Sequence, residues 1–404
     1  MSQIPATVVE AINHISETID SPMFVYDLDG FDKHIKQLTQ SDLTLWYAVK
    51  ANPLSSVIKV LANNGFGFDV ASIGELDQVL AQGISGERIL HTGPGKSFSQ
   101  LQYFLEQGVQ TYVVESIQQL NDLHTLASDY DFTPQVLLRV QLRWDEEDST
   151  GNNPLGGAQL TPFGLSANDW SVIELADYSA LDIKGLHIFQ WGNIMSAERL
   201  SELWFAMIEP LHALAERLGL SYQVLDLGGG LGIPYDGSQG ILNWTEVEPV
   251  LAQMKQRVTV EQVWMELGRY AIGPYGYYVC DVIERKTNDG QNQLIMEGGV
   301  NHLMRPAITG ESFPASLLRQ QSGAKTAAFS VYGPLCTGLD KLGEFDFADD
   351  IGAGDTMVFS QCGAYGFSES MPFFLCHVLP GEAEIYQGKV EVVREPLPAS
   401  WWLR

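Results

Sequence analysis

The chain has 404 residues, 45% apolar and 18% charged, enough to bury two or three domain cores and too apolar for disorder. Fifty acidic against 23 basic side chains give a net charge of −27, which argues against a nucleic-acid partner and against docking on anionic membrane, since both need a basic face. No run reaches the ~18 apolar residues of a membrane span, residues 1–20 lack the basic-then-apolar pattern of a secretory leader, and the cysteines at 280, 336, 362 and 376 lack CxxC spacing, so a reduced cytoplasmic protein without a zinc site is expected.

Along the chain, MFVYDLDG (23–30) predicts a strand ahead of the repeating part, able to join it. Apolar runs then begin at 45 (LWYAV), 67 (GFDVA), 89 (ILHTG) and 111 (TYVVE), a constant step of 22 residues. Between them SSVIKVLANN, IGELDQVLAQ and FSQLQYFLEQ carry apolar residues at helical spacing. Runs continue at 136 (VLLRV), 185 (GLHIF), 224 (VLDLG) and 263 (VWMEL), making eight strand–helix steps. Apolar strands alternating with helices mean parallel strands covered on their outer side, and right-handed crossovers let them close into a (β/α)8 barrel. An open doubly wound sheet is the alternative, but no GxGxxG follows the first strand. Residues 143–182 are polar and Gly-rich and read as a long functional loop. Beyond about 272, segments rich in Val, Tyr, Phe and Ile between Gly, Asn and Asp turns predict an antiparallel β domain. The expected division is a barrel over 30–272 and a β domain from 1–29 and 273–404.

A parallel barrel carries its chemistry at the C-terminal ends of its strands. Those ends hold Lys50, Asp69, His91, Glu115, Arg139, His187, the glycines 228–230 and Glu266. A lysine in an apolar strand is costly to bury charged, and such an amine can form a Schiff base with an aldehyde. It can equally pair with Asp69 or Glu115. The run DLGGGLG (226–232) follows the seventh strand, where barrels often cradle phosphate on backbone amides. A reactive lysine and a phosphate cradle on one rim point to pyridoxal 5'-phosphate. Glu266 then suits the pyridine nitrogen, or pairs with Arg269.

With these residues in place, YAVKANP, FDVASIGEL, HTGPGKS, DLGGGLG, MELGRY, GPLCTGLD and GAYGFS, in this order, resemble the fold-type III pyridoxal-phosphate decarboxylases, which share their barrel with alanine racemase. The likeness runs over about residues 22–370. It implies an α/β fold, an alanine racemase-like (β/α)8 barrel plus β domain, and a homodimer with shared active sites acting on a small amino-acid-derived substrate. It assigns Lys50 to the covalent cofactor link and Glu266 to the pyridine nitrogen. Gly228, Gly229, Gly230, Arg269 and Tyr365 fall on the phosphate side, and Asp69, Arg139, His187 and Phe189 around the cofactor. Cys336 falls on the cysteine that the partner subunit contributes to reprotonate Cα after carbon dioxide leaves.

The chain departs from that family in ways that bear on substrate. An Asp or Glu usually follows the cysteine and binds a distal cation; here the position is Thr337, with Asp340 nearby as partial compensation. A hydroxyl does not neutralise a buried ammonium. GLHIFQWGN puts Phe189 where a stacking histidine is usual, and EPGR has become ELGR at 266–269. Arg305, in NHLMRPA, falls where the family meets a substrate carboxylate. These features resemble decarboxylases of siderophore pathways, which act on an amino acid joined to citrate or another acyl group. Diaminopimelate decarboxylation, action on a carrier-bound aminoacyl group, and a non-enzymatic homeostasis protein that binds the cofactor are the alternatives. A metal-dependent barrel hydrolase is disfavoured, because the HxH pair and bridging carboxylates of such sites are missing, and no metal ligand is assigned.

Overall fold

A computed structural model describes residues 4–39, 42–143, 160–235, 241–319 and 325–404. Residues 144–159 of the expected loop at 143–182 therefore lie outside the described residues, and within the described part the short helix Ala167–Trp170 and a 3-10 turn, Leu175–Tyr178, form. The chain forms two compact units. One comprises Ile35–Gly232 and Ile241–Gly268; the other comprises Met1–His34, Ile233–Gly240 and Arg269–Arg404.

The strand β1 (Met23–Asp27) precedes eight strands that close into a parallel barrel: β2 (Thr44–Ala48), β3 (Gly67–Val70), β4 (Ile89–His91), β5 (Thr111–Val114), β6 (Gln135–Arg139), β7 (Asp182–His187), β8 (Val224–Asp226) and β9 (Gln262–Leu267). Each of the eight apolar runs became one of these strands. Seryl hydroxyls start the helices that follow them: Ser72, Ser97 and Ser116 each accept the amide three residues on, which satisfies a donor the helix leaves open. Trp46, Leu90, Val113, Leu137, Val224 and Trp264 fill the barrel interior. Gly67 is dictated by that packing, since a Cβ there would stand 2.3 Å from the Trp46 ring.

Lys50 is not inside a strand. It occupies a single 3-10 turn, Val49–Ala51, that ends β2, and its side chain is 44% exposed. The desolvation expected for a strand lysine is thereby avoided.

In the second unit β1 pairs antiparallel with β10 (Gly276–Asn288). β10 is followed by β11 (Gln291–Met296), β12 (Ala315–Leu317), β13 (Thr326–Tyr332), β14 (Lys341–Ala348), β15 (Thr356–Phe359), β16 (Val378–Leu379) and β17 (Gly381–Tyr386). β1 does not join the barrel; it lies between β10 and β17. The sheet is mainly antiparallel, with two parallel pairings, β1 with β17 and β11 with β13. The helix Ala6–Ile15 packs Val8, Ala11, Ile12 and Ile15 against Val25, Val279, Val358 and Ala383 of that sheet. Among the described residues no helix is long and apolar enough to cross a membrane.

Candidate active site

Parallel register brings the chemistry-bearing residues to one rim of the barrel. Asp69 aligns with Ala48, His187 with both Arg139 and Asp226, and Glu266 with Trp46. The Lys50 Nζ donates to Asp69 Oδ2 at 2.9 Å, and the Thr92 hydroxyl donates to Asp69 Oδ1. Burial raises the Asp69 carboxyl, and the Lys50 ammonium works against that rise. Of the two carboxylates open to Lys50 from sequence, Asp69 is the partner; Glu115 is engaged elsewhere.

Glu115 accepts from Arg139 NH1 at 3.0 Å through Oε1 and from the Gly164 amide at 3.2 Å through Oε2. The Arg139 guanidinium lies 4.6 Å over the Phe163 ring. Lys96 completes this group. Its side chain is fully buried, its Nζ donates to the Gly93 carbonyl, and it stands 3.9 Å from Glu115. Burial lowers its amine to about 8 against the opposing pull of Glu115. Sequence reasoning passed over Lys96, although it stands in the quoted HTGPGKS; a lysine in a Gly-Pro-Gly turn at a strand end was the available signal.

His91 belongs to the packing. Its ring stacks on Phe104 at 3.7 Å, and Nδ1 faces the Val70 carbonyl at 3.0 Å. His187 does not. Its Nε2 lies 3.1 Å from Glu266 Oε1, with both side chains buried. Burial pushes the Glu266 carboxyl up; the His187 bond, then Lys50 and Arg139, bring it down to about 2. Asp226, wholly buried, is driven well above the ordinary carboxylate range by burial and by Glu266. One donor atom from each of His187, Asp226 and Glu266 lies within 4.8 Å of the others.

The three glycines are required by space. A Cβ on Gly228 would stand 2.5 Å from the Phe189 Cβ, one on Gly229 2.4 Å from the Glu266 carbonyl oxygen, and one on Gly230 2.8 Å from the Trp191 carbonyl oxygen. Gly228 and Gly230 also have φ of +61° and +103°. The Gly228 amide is held by Asp226 Oδ1 at 2.8 Å. The amides of Gly229 and Gly230 donate to no described residue, and both glycines are partly exposed. Two free amides in a glycine turn form a concavity suited to a phosphate group. With an exposed lysine amine and an ionised buried carboxylate on the same unit, this donor set fits pyridoxal phosphate.

The remaining predicted residues lie in the second unit. The Arg269 guanidinium donates to the Tyr235 hydroxyl and lies 4.7 Å over the Tyr365 ring. Arg305, buried, lies 4.1 Å over the Tyr235 ring and pairs with Glu311, while its Nε has no hydrogen-bond partner among the described residues. Tyr235, unnoticed in the sequence, thus carries two guanidiniums. Cys336 is an exposed free thiol. The Thr337 hydroxyl accepts the Leu339 amide at 3.3 Å. Asp340 is buried, accepting the Val300 amide at 2.7 Å through Oδ1 and the Leu335 amide at 2.6 Å through Oδ2. Both its oxygens are spent on backbone, which leaves it poorly placed to stand in for a missing carboxylate at 337.

The family described as "Pyridoxal-dependent decarboxylase, pyridoxal binding domain" matches residues 29–273. The L-glutamyl-[BtrI acyl-carrier protein] decarboxylase of Niallia circulans is 27% identical over 401 residues, covering 95% of this chain and 93% of its own length. The 2-[(L-alanin-3-ylcarbamoyl)methyl]-2-hydroxybutanedioate decarboxylase of Staphylococcus aureus is 28% identical over 372 residues, covering 88% and 92%. In fold, the chain is similar to the diaminopimelate decarboxylase of Helicobacter pylori in complex with L-lysine, with a TM-score of 0.86 at 22% identity over 97% of this chain and 98% of that one.

Proposed function

This chain belongs to the pyridoxal-dependent decarboxylase family, and from that premise we propose that it removes the α-carboxylate of an amino acid already joined to citrate or another acyl group, as in carboxylate siderophore synthesis. The observation that carries the substrate reading is the state of the loop 333–340. Its one acidic residue, Asp340, has both oxygens committed to backbone amides, and the position after Cys336 is a threonine. A distal ammonium or guanidinium would find no free carboxylate on that loop. Arg305 favours the opposite charge. It is buried, with an Nε that no described residue partners, and suits the carboxylates of a citryl group. The name of the S. aureus relative describes such a conjugate.

Pyridoxal phosphate, when bound, supplies the electron sink for the carbanion left as carbon dioxide departs. Lys50 would hold the cofactor covalently through its exposed amine. The free amides of Gly229 and Gly230 would receive its phosphate, Phe189 would pack against its ring, and Arg269 and Tyr365 are proposed for the phosphate end. Glu266, kept ionised, would meet the ring nitrogen. Asp69 holds the Lys50 amine in place until the cofactor binds. Arg139, fixed by Glu115 and Phe163, flanks the cofactor. The Cys336 thiol delivers the proton to Cα. Its exposure on this chain supports delivery into the site of a partner copy, and therefore a homodimer; four free cysteines suit the reducing cytoplasm as its place of work.

The test is a panel assay. Purified enzyme should release carbon dioxide from citryl-diaminopropionate or citryl-serine much faster than from free diaminopimelate, ornithine, lysine or arginine. Rapid release from free diaminopimelate, with none from the conjugates, overturns the reading; a preference for a carrier-bound aminoacyl group transfers it to that class.

A further inference from the structure

His187 and Asp226 are wholly buried, neighbours in register at the ends of β7 and β8, and the chemistry above gives neither a task. Buried polar atoms normally find partners. Here two do not. His187 Nδ1 and Asp226 Oδ2 are both buried without a hydrogen bond among the described residues. The partners that the two side chains do have are specific. Asp226 Oδ1 caps the amide of Gly228, the first of the three glycines. His187 Nε2 meets Oε1 of Glu266.

An ionised carboxylate can only accept, so the ring nitrogen facing Glu266 carries the proton. The other ring nitrogen, Nδ1, has no hydrogen bond to a described residue, so the bond from Nε2 to Glu266 is the one that orients the ring. Oε1 is the one oxygen of Glu266 that the described protein holds; Oε2 has no hydrogen bond to a described residue. A carboxylate on a freely rotating side chain does not stay aimed at one atom, and a single fixed donor corrects this at the cost of one lone-pair site.

We propose that His187 is a positioning residue for Glu266: it ties down Oε1 and leaves Oε2 to the ring nitrogen of the cofactor. His187 then acts on the cofactor through Glu266 rather than by touching it, which differs from the direct cofactor contact expected from sequence. The inference rests on the assignment of Glu266 made above.

The experiment titrates the apo-protein with pyridoxal phosphate and follows the visible absorption band, for wild type, His187→Leu, His187→Gln, Glu266→Ala and the His187→Leu/Glu266→Ala double variant. His187→Leu should weaken cofactor binding roughly tenfold, as outer-shell partners of bound groups typically do, and should shift the band, because the charge on the ring nitrogen changes. His187→Gln keeps an N–H donor and should bind as wild type does. In the Glu266→Ala background, His187→Leu should add nothing. Equal losses from His187→Leu in both backgrounds, or wild-type affinity and spectrum in His187→Leu beside a weakened Glu266→Ala, overturn the proposal and leave Glu266 its role. No change in Glu266→Ala overturns the Glu266 assignment itself. Should His187→Leu fail to fold, the glutamine variant decides: a loss of affinity or a shifted band there counts against the proposal.

Discussion

The Lys50 Nζ lies 2.9 Å from Asp69 Oδ2, joining the turn that ends β2 to the end of β3. The lysine half of this pair is 44% exposed and the carboxylate half 1%. Such a pair presents an amine to an incoming aldehyde while anchoring it from beneath. Borohydride reduction of the loaded enzyme should fix the cofactor on the peptide containing Lys50, read by mass spectrometry. Lys50→Ala should lose both that adduct and the visible band; an adduct on another lysine would contradict the assignment.

Cys336→Ala should keep the band and lose turnover by roughly a hundredfold, the usual scale for a positioned proton donor. If the thiol serves the partner's site, mixing Lys50→Ala with Cys336→Ala protein restores activity that neither has alone. Random reassortment into twofold dimers predicts about a quarter of the wild-type rate. No recovery after exchange counts against sharing.

Thr337→Asp places a carboxylate beside Cys336. Selectivity should move toward free diamino acids by roughly tenfold or more in kcat/KM, the worth of one desolvated charge-assisted bond. The conjugated substrate should decline in parallel. Unchanged selectivity would show that this loop does not meet the distal group.

Asp340→Ala strips two buried amides, Val300 and Leu335, of their acceptor. Each should cost about 1–3 kcal/mol. Gly299 and Gly333 are hemmed in by the same carboxylate, since a Cβ on either would fall 2.0 or 2.5 Å from Asp340 Oδ1. The loop bearing Cys336 is therefore expected to loosen. Faster labelling by a thiol reagent, together with a lower melting temperature, checks this.

Lys96 gives a pH signature. Burial lowers its amine from 10.5 to about 8 in the folded chain. Between those values the unfolded chain binds the extra proton, so the folded state gains stability as pH rises through that window. The wild-type melting temperature should therefore hold up between pH 8 and 10 better than that of Lys96→Met. Parallel melting curves for the two proteins would contradict the assignment.

The barrel was legible because strands covered on both sides read as apolar runs, and the even step from Leu45 to Gly67 to Ile89 to Thr111 could be read directly. Lys50, Asp69 and Glu266 were legible because strand ends in a parallel barrel converge. What escaped were partnerships across distant chain. Tyr235 reads as one aromatic after a glycine run, yet its ring carries Arg269 and Arg305. Asp340 reads as a free carboxylate until Val300, forty residues earlier in the chain, is seen to donate to it. Lys50 read as part of a strand because a 3-10 turn of three residues leaves no periodic mark.

The placement of β1 bears on how the chain reaches its native state. Residues 23–27 leave the ribosome early, but one flank pairs with Gly276–Val279 and the other with Gly381–Ile385. The flank of β1 that faces β17 must stay unpaired until residues 381–385 are made, while the barrel's contiguous steps have no such wait. A chain cut ahead of Gly381 should leave that flank of β1 without its partner, an apolar strand edge that makes the product a sticky client of chaperones rather than a soluble half-enzyme.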